Sequence, residues 1–253
     1  MPGKGSQHGL IWARLQQQRD PQLSLSREQI VRAALQIADA EGLQGITMRR
    51  VARELGSAAM SLYRHIYSKD DLLDLMLDEA FGEVELPGEP AGDWQAGLRQ
   101  LAWETRRALK RHPWLAVLLS SRPPVGPNYL RYFEALLGTV ARLGLDMKTM
   151  AAFVGSVNVF VIGYVSVELG EEESTRQTGL TVEDKHALGV PYLQPVLDSG
   201  RFPNLARFVQ AGPMPPDDEG FRFGLDCLLS GLAERVLRET KGTEGTEGTH
   251  GDS

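Results

Sequence analysis

The chain has 253 residues, 42% apolar and 24% charged, which suits a soluble globular protein with one large or two modest cores. Its net charge of −6 argues against a nucleic-acid binder taken whole, but the charge is divided. Residues 1–70 carry ten Lys/Arg against six Asp/Glu, and residues 71–253 carry seventeen against twenty-seven, so only the N-terminal part offers phosphate a favourable field. The single cysteine, Cys227, excludes a disulfide framework within the chain and suits a reducing cytoplasm.

In chain order, residues 1–24 are rich in Gly, Gln and Arg without a sustained period and read as a flexible basic arm. Lys4, Gln7, His8 and Arg14 interrupt any apolar signal region there. Ser26 with Gln29 three residues on forms a capping box, and Ile30, Ala33, Ala34, Ile37 and Ala38 give the following helix a buried stripe that Gly42 ends. Thr47 caps a second helix with Val51, Ala52 and Leu55 inward and Gly56 as its stop. Ser57 is expected to cap a third, Ala58 to about His65, with Leu62 inward and Ser61, Tyr63 and His65 on its outer face. Ser68 caps a fourth helix with Asp70 and Asp71 in its first turn, where the helix dipole favours them, and Leu72, Leu73, Leu75, Met76 and Phe81 carry it to about Gly82. Pro87, Gly88, Pro90 and Gly92 mark a linker.

Beyond the linker every long segment has helical period and no hairpin signal occurs. Helices are predicted at 93–111, 113–121, 127–143, 147–169, 182–198, 203–211 and 217–239, so the fold class is all-α. The expected organisation is a basic arm (1–24), a helix-turn-helix domain (25–82), a larger helical domain (93–240) and a disordered tail from 241, where Gly-Thr-Glu repeats have almost nothing to bury. The stretch Thr149–Val167 carries no charge and has the length of a membrane span. Its Ser156, Asn158, Gly155 and Gly163, and the lack of a second such stretch, favour instead a helix buried on all sides in a soluble domain, so no membrane partner is expected.

A helix, a tight glycine turn and a short second helix are how a protein lays a helix N-terminus in a DNA major groove. Gly56 permits the turn, and the small Ala58 and Ala59 let the third helix approach base edges. The residues Thr47-Met48-Arg49-Arg50-Val51-Ala52-Arg53-Glu54-Leu55-Gly56, Ser61-Leu62-Tyr63-Arg64-His65 and Ser68-Lys69-Asp70-Asp71-Leu72-Leu73 agree at many fixed offsets at once. On them, the segment Ser26–Phe81 resembles the DNA-binding domain of the TetR family of bacterial transcriptional repressors. The remainder resembles the tetracycline-repressor type of C-terminal domain in length and helix count.

The resemblance implies that Tyr63, His65 and Lys69 grip phosphates, while Arg49, Met60 and Ser61 reach bases, with Arg49 on guanine. At Ala59 and Met60 the family often carries a larger polar residue or a proline. Fewer hydrogen bonds to bases are then available from the third helix, Met60 is suited to a thymine methyl, and specificity leans on Arg49, Arg50 and the arm. The resemblance further implies a homodimer, a small-molecule effector that releases operator DNA, and a cytoplasmic location. The 147–169 helix, through Val154, Val157 and Val161, and the last helix, through Phe221, Leu225, Leu228 and Leu232, are expected to form the dimer surface. Trp103, Arg107 and Trp114, with Phe133, Phe153, Asn158 and Tyr164, are the candidate walls of an effector pocket, apolar with a few polar groups.

Two other functions are weighed beside this one. A helix-turn-helix regulator that binds DNA or a protein without a small molecule would lack a ligandable cavity. An enzyme would need a polar cluster, but the five histidines (8, 65, 112, 186, 250) are scattered, and no nucleophile triad, metal-ligand spacing or phosphate loop is present. No cofactor or metal is expected.

Overall fold

The structure is a computed structural model that describes residues 11–12, 25–88 and 92–244, with side chains to 238. Among the described residues the long elements are all helical: α1 (Arg27–Glu41), α2 (Met48–Glu54), α3 (Ala59–Leu62), α4 (Lys69–Gly82), α5 (Trp94–Arg111), α6 (Trp114–Ser121), α7 (Pro127–Val140), α8 (Met147–Thr178), α9 (Val182–Asp198), α10 (Pro203–Ala211) and α11 (Asp218–Glu244), with short 3₁₀ turns at Leu43–Gly45 and Ala141–Leu143. The arm expected over 1–24 lies outside the described residues apart from Ile11 and Trp12, as do the linker positions 89–91 and the tail beyond 244. The disorder expected from 241 is overtaken at its start, since α11 runs on to Glu244.

The caps follow the sequence closely. The Ser26 hydroxyl accepts from Gln29 N–H at 3.2 Å, and the Gln29 side chain accepts from Ser26 N–H at 2.8 Å. Thr47 accepts from Arg50 N–H and Ser68 from Asp71 N–H, each at 3.0 Å. Each satisfies an orphan first-turn donor, worth about 1 kcal/mol of helix stability. One helix ends well beyond the expected residue. α8 passes through Gly170 and stops at Gly179, whose φ of +71° is the left-handed conformation that ends a helix. Its extra turns are held by side chains that reach along or onto it: Arg176 to Glu173, and Lys185 of α9 to Glu171. Gly170 costs only propensity there, which those contacts outweigh.

Two compact units are present among the described residues. One takes the chain up to Ile162 and returns from Val236; the other is Gly163–Arg235. In the first unit α4 is the hub, packing against α1, α6 and α7. Leu72, Met76, Leu77 and Ala80 of α4 are buried with Ile30 and Ala34 of α1. α5 supplies Leu98, Leu101, Ala102, Thr105, Ala108 and Leu109, the three–four spacing of one buried helix face, and packs against α6 and α7. The N-terminus of α7 has no side-chain cap of its own. Asp78 of α4 supplies one, accepting from Tyr129 N–H at 2.9 Å. Gly126 makes room for it, since a Cβ there would lie 2.2 Å from the Asp78 carboxylate.

In the second unit Tyr164 of α8 sets its ring edge against Phe221 of α11, centroids 5.4 Å apart, and donates to the Asp217 carbonyl at 3.0 Å. α9 and α10 pack on each other and bury none of their residues.

Candidate nucleic-acid interface

The reading head is built around the α2–α3 turn. Gly56 has φ +60°, and the turn closes by two backbone bonds, Gly56 N–H to Arg53 C=O at 3.2 Å and Ser57 N–H to Ala52 C=O at 2.9 Å. This is a Schellman stop that satisfies the last carbonyls of α2. α3 is a single turn, after which Arg64 and His65 donate to Ser61 and Leu62 in i→i−3 bonds, so the expected helix to His65 tightens into a turn after Leu62. Its inward anchors are Leu62 and Ile66, both fully buried. Ser57 does not cap it. The N-cap residue is Ala58, with no side-chain bond, and the Ser57 hydroxyl leans on the Ala58 carbonyl instead.

Of the eight residues assigned to DNA, Arg49, Met60, Tyr63 and Lys69 are exposed, Met60 at 74%. Ala59 and Ser61 are half-buried. Arg49 stands on α2, Met60 on α3, Tyr63 just after it and Lys69 at the first position of α4, so one turn-rich stretch brings them to the surface from three consecutive helices. Arg64 and Tyr67 are also exposed in this stretch. Sequence reading passed over both, although Tyr67 directly precedes the cap Ser68 and sits two residues from Lys69.

Two of the eight stand differently from expectation. His65 does not lie on the outer face; it is 4% exposed, because the tightened turn after Leu62 rolls its side chain inward. There it acts electrostatically on Glu28 of α1, whose carboxyl sits below its usual range chiefly through backbone and Ser26 hydrogen bonds. Arg50 is committed elsewhere. Its Nε and Nη2 donate to Glu41 Oε1 at 3.1 and 2.7 Å and its Nη1 to Glu54 Oε2 at 2.6 Å. A guanidinium forked between two carboxylates fixes α2 against the end of α1 and has little left for a base.

The candidate effector residues do not converge on one place. Trp114 is buried and its indole N–H donates to Asp39 of α1 at 2.7 Å, which makes it a tie between helices and no pocket wall. Arg107 is exposed and paired with Glu104. Tyr164 belongs to the second unit, on Phe221. Trp103 lies 4.9 Å from the Arg106 guanidinium, and Phe153 is buried. Phe133 and Asn158 do join a common group. Phe133 stacks on Tyr129 at 6.1 Å, and Tyr129 and Tyr132 both contact Phe81 of α4, at 4.9 and 5.0 Å. The Tyr132 hydroxyl donates to Asn158 Oδ1 at 2.7 Å and lies 2.9 Å from the Thr105 hydroxyl. Complete burial pushes the Tyr132 phenol far above its ordinary range, so it stays a neutral donor. In the second unit a separate cleft of about 300 Å³ is lined by Glu168, Glu171, Glu172, Thr175, Pro215 and Pro216.

The expected dimer residues are corrected by burial. Val154, Val157, Val161, Phe221 and Leu225 are all buried inside the single chain, and Leu228 and Leu232 are half-buried. Their three–four spacing is that of an intrachain core. The opposite faces are open: Ala152, Ser156, Val159 and Val167 on α8, with Val159 72% exposed, and Phe223, Cys227, Ser230 and Leu237 on α11, with Phe223 also 72% exposed. α8 is therefore not buried on all sides. It is long and apolar enough to cross a membrane, yet only 33% of its most apolar window is buried.

Comparison with known proteins bears directly on this head. Residues 30–76 match the family described as bacterial regulatory proteins, tetR family, and residues 86–236 match the tetracyclin repressor-like C-terminal domain. The chain is 40% identical over 225 residues to the HTH-type transcriptional repressor DrrR1 of Streptomyces coeruleorubidus, covering 88% of this chain and 83% of that one. Apo ActR of Streptomyces coelicolor superposes with a TM-score of 0.71 at 29% identity, over 87% of this chain and all of that one. ActR in complex with actinorhodin gives 0.69 at 30% identity, over 85% and 99%. A Schellman-stopped helix-turn-helix on an all-helical body, matched in sequence across both halves, leaves one assignment: the chain belongs to the TetR family of helix-turn-helix transcriptional regulators.

Proposed function

We propose that this protein is a cytoplasmic repressor that binds a palindromic operator as a homodimer and lets go when a small molecule binds its helical body. The observation that carries the DNA reading is the exposed set Arg49, Met60, Tyr63 and Lys69 on three consecutive helices around a buried Leu62–Ile66 anchor. Lys69 and Tyr63 bind phosphate, with Arg64 and Tyr67 beside them. Arg49 and Met60 read base edges, a guanine and a thymine methyl, and Ser61 and Ala59 fill the close approach. Arg50 sets the angle of α2, and His65 supports the turn from inside. The similarity to a named repressor over most of both chains supports the negative sign of the regulation.

Dimerisation is assigned to the open faces of α8 and α11, two helices per chain, because a symmetric site is read by a symmetric dimer. The effector is assigned to the aromatic group of α7 with the Thr105–Tyr132–Asn158 chain, apolar walls with a few polar groups. Walls of that kind suit a medium-sized, largely apolar molecule, and the similarity to a protein solved with actinorhodin supports that class. The route of release runs through Phe81, which lies on α4 and touches Tyr129 and Tyr132. A ligand that displaces those rings pushes α4, and with it the spacing of two recognition helices that must fit grooves roughly 34–36 Å apart.

The decisive experiment is to map the bound DNA sequence and then titrate actinorhodin, as first probe, with and without that duplex. Linkage requires operator to weaken probe binding by the factor by which probe weakens operator binding. Tight probe binding that is indifferent to operator overturns release and favours a helix-turn-helix regulator of DNA or protein without a small-molecule effector.

A further inference from the structure

His112 follows α5 immediately, ahead of Pro113, and is 4% exposed. Its Nδ1 lies 2.8 Å from Asp39 Oδ1 on α1, and its Nε2 lies 3.2 Å from Glu83 Oε2, the residue that closes α4. The same Asp39 oxygen accepts the Trp114 indole N–H of α6, whose ring centroid is 5.4 Å from the imidazole. Arg111 of α5 donates to the same Glu83 oxygen. One ring thus joins two helices of the reading head to the α5–α6 junction of the body, and neither the DNA contacts nor the effector group uses it.

Donor and acceptor accounting fixes the state this geometry needs. An ionised carboxylate offers acceptors only, and a neutral imidazole has one N–H and one lone pair. With a carboxylate oxygen at each nitrogen, the neutral ring would set its lone pair against one of them. The imidazolium alone donates both ways. Glu83 is ionised: burial pushes its carboxyl up, but hydrogen bonds from Arg111 and His112 outweigh this and hold it below the usual carboxylate range. The charged groups that face the ring are Asp39 from α1, Glu83 from the end of α4 and Arg111 from α5, while α6 presents the uncharged indole. With a charged ring the cluster has two anions and two cations; with a neutral ring it keeps an unbalanced negative charge in a half-buried place.

We propose that His112 is a proton-dependent clasp that fixes α1 and the end of α4 to the body, so that operator affinity carries a pH dependence at this residue. The operator part rests on the repressor reading above. Free imidazole changes charge at about pH 6.5. A proton held by the clasped head and not by the loosened one completes the clasp in acid and opens it as the pH rises. His112 is a positioning residue: it touches no DNA and acts through the placement of α1 and α4.

The test has two arms. Affinity for the mapped operator duplex is measured from about pH 6 to about pH 9 at constant salt for wild type, His112→Gln and His112→Lys. Wild type should lose affinity with rising pH by up to about tenfold per pH unit for each protomer, one proton apiece. His112→Gln should be weak and free of this component, and His112→Lys, which keeps the charge, should hold its affinity to higher pH than wild type. In the second arm the His112 ring is followed by NMR in the free full-length chain, identified by its loss in His112→Gln. Its Nδ1–H should be protected from solvent exchange at about pH 6 in wild type and lose that protection in Asp39→Ala. Parallel pH profiles for wild type and His112→Gln overturn the regulatory claim, and equal Nδ1–H protection in wild type and Asp39→Ala overturns the clasp. Failure of every variant to bind any duplex would fall on the repressor reading, with the ring N–H exchange still deciding the clasp.

Discussion

Arg122, the residue that closes α6, holds the first turns of α4 in a way that can be measured. Its Nη1 donates to Asp74 Oδ1 at 2.8 Å and to the Asp70 carbonyl at 3.3 Å, and its Nη2 donates to Asp70 Oδ1 at 2.9 Å. The arginine side chain is 11% exposed and that of Asp74 13%, but that of Asp70 is 68%. The two ion pairs share one guanidinium and a similar distance, and differ in solvent. Screening leaves an exposed pair only about 0.2–1 kcal/mol, whereas a hydrogen bond to a charged group away from water contributes about 1.5–3 kcal/mol. Double-mutant cycles on Arg122→Ala with Asp74→Asn and with Asp70→Asn should therefore give coupling energies that differ by about 1 kcal/mol or more, Asp74 being the larger. Urea unfolding at one fixed protein concentration reads both cycles, so that any self-association contributes equally to each. Raising the salt should erase the Asp70 term and leave most of the Asp74 term. Equal coupling for the two aspartates, or equal salt sensitivity, would refute the claim that burial sets the strength of this tie.

The remaining predictions concern the head and the acidic face of α4. Lys69→Ala should weaken operator and random DNA alike and reduce the slope of log K against log salt by about one for each protomer, one phosphate contact apiece. Arg49→Ala should cost about 1–3 kcal/mol at one base pair per half-site and leave binding to random DNA nearly unchanged, which a panel of single-base operator variants reads directly. Arg50→Ala should lower the melting temperature of the free protein, because it unties α2 from Glu41, and weaken all DNA sequences together; loss of preference at a single base would return Arg50 to the base-reading set. Burial pushes the Asp78 carboxyl above its usual range against the opposing hydrogen bonds from α7, so its stabilising contribution is complete below the ordinary carboxylate range and is lost as the pH rises through the raised value. Asp78→Asn should therefore fall short of wild type most in acid and least at neutral pH, and a gap that widens with rising pH would contradict the assignment.

Local chemistry made most of the fold legible. Ser26, Thr47 and Ser68 each announced a helix start, and each cap bond is present, because a hydroxyl before an apolar period satisfies donors that no other group nearby can reach. Gly56 and Gly42 announced stops for the same local reason. The errors share a cause. The helix expected to end at 169 runs on to Thr178, where the Arg176–Glu173 pair and Lys185 from another helix hold turns that no apolar period marks. Val154, Val161 and Phe221 were legible as a buried stripe, yet a stripe does not state whether its cover is the same chain or a second one. His65 sits one i→i−3 turn past Leu62, so its direction depends on where the helix tightens, which no period encodes. Arg50 was counted among the DNA-binding residues because its partner Glu41 lies nine positions upstream, across a turn. The aromatic group proposed for the effector was the least legible part: the sequence singles out Phe133 and Asn158, but Tyr132 and Thr105, which organise Asn158, carry no signal beyond helical spacing.

The acidic balance beyond residue 70 offers phosphate no favourable field. α4 shows a use for it. Asp70, Asp74 and Asp78 recur every four residues along one side of it, and Glu83 closes it. Arg122 takes the first two, the N-terminus of α7 takes the third, and Arg111 with His112 takes the last. Each carboxyl meets a cation or a helix N-terminus of the body, so the helix that carries Lys69 is tied at four heights, at three of them by ion pairs. This also bears on the DNA contact proposed for Lys69. Lys69 stands beside Asp70 and Asp71, whose negative charge would oppose a phosphate approaching the same turn. The Arg122 guanidinium balances Asp70 from the body side, and the Ser68 cap keeps the turn's N–H groups ordered. The charge that fastens α4 to the body thus also clears the approach to Lys69, and a body movement that withdraws Arg122 would loosen the helix and restore the repulsion in one step.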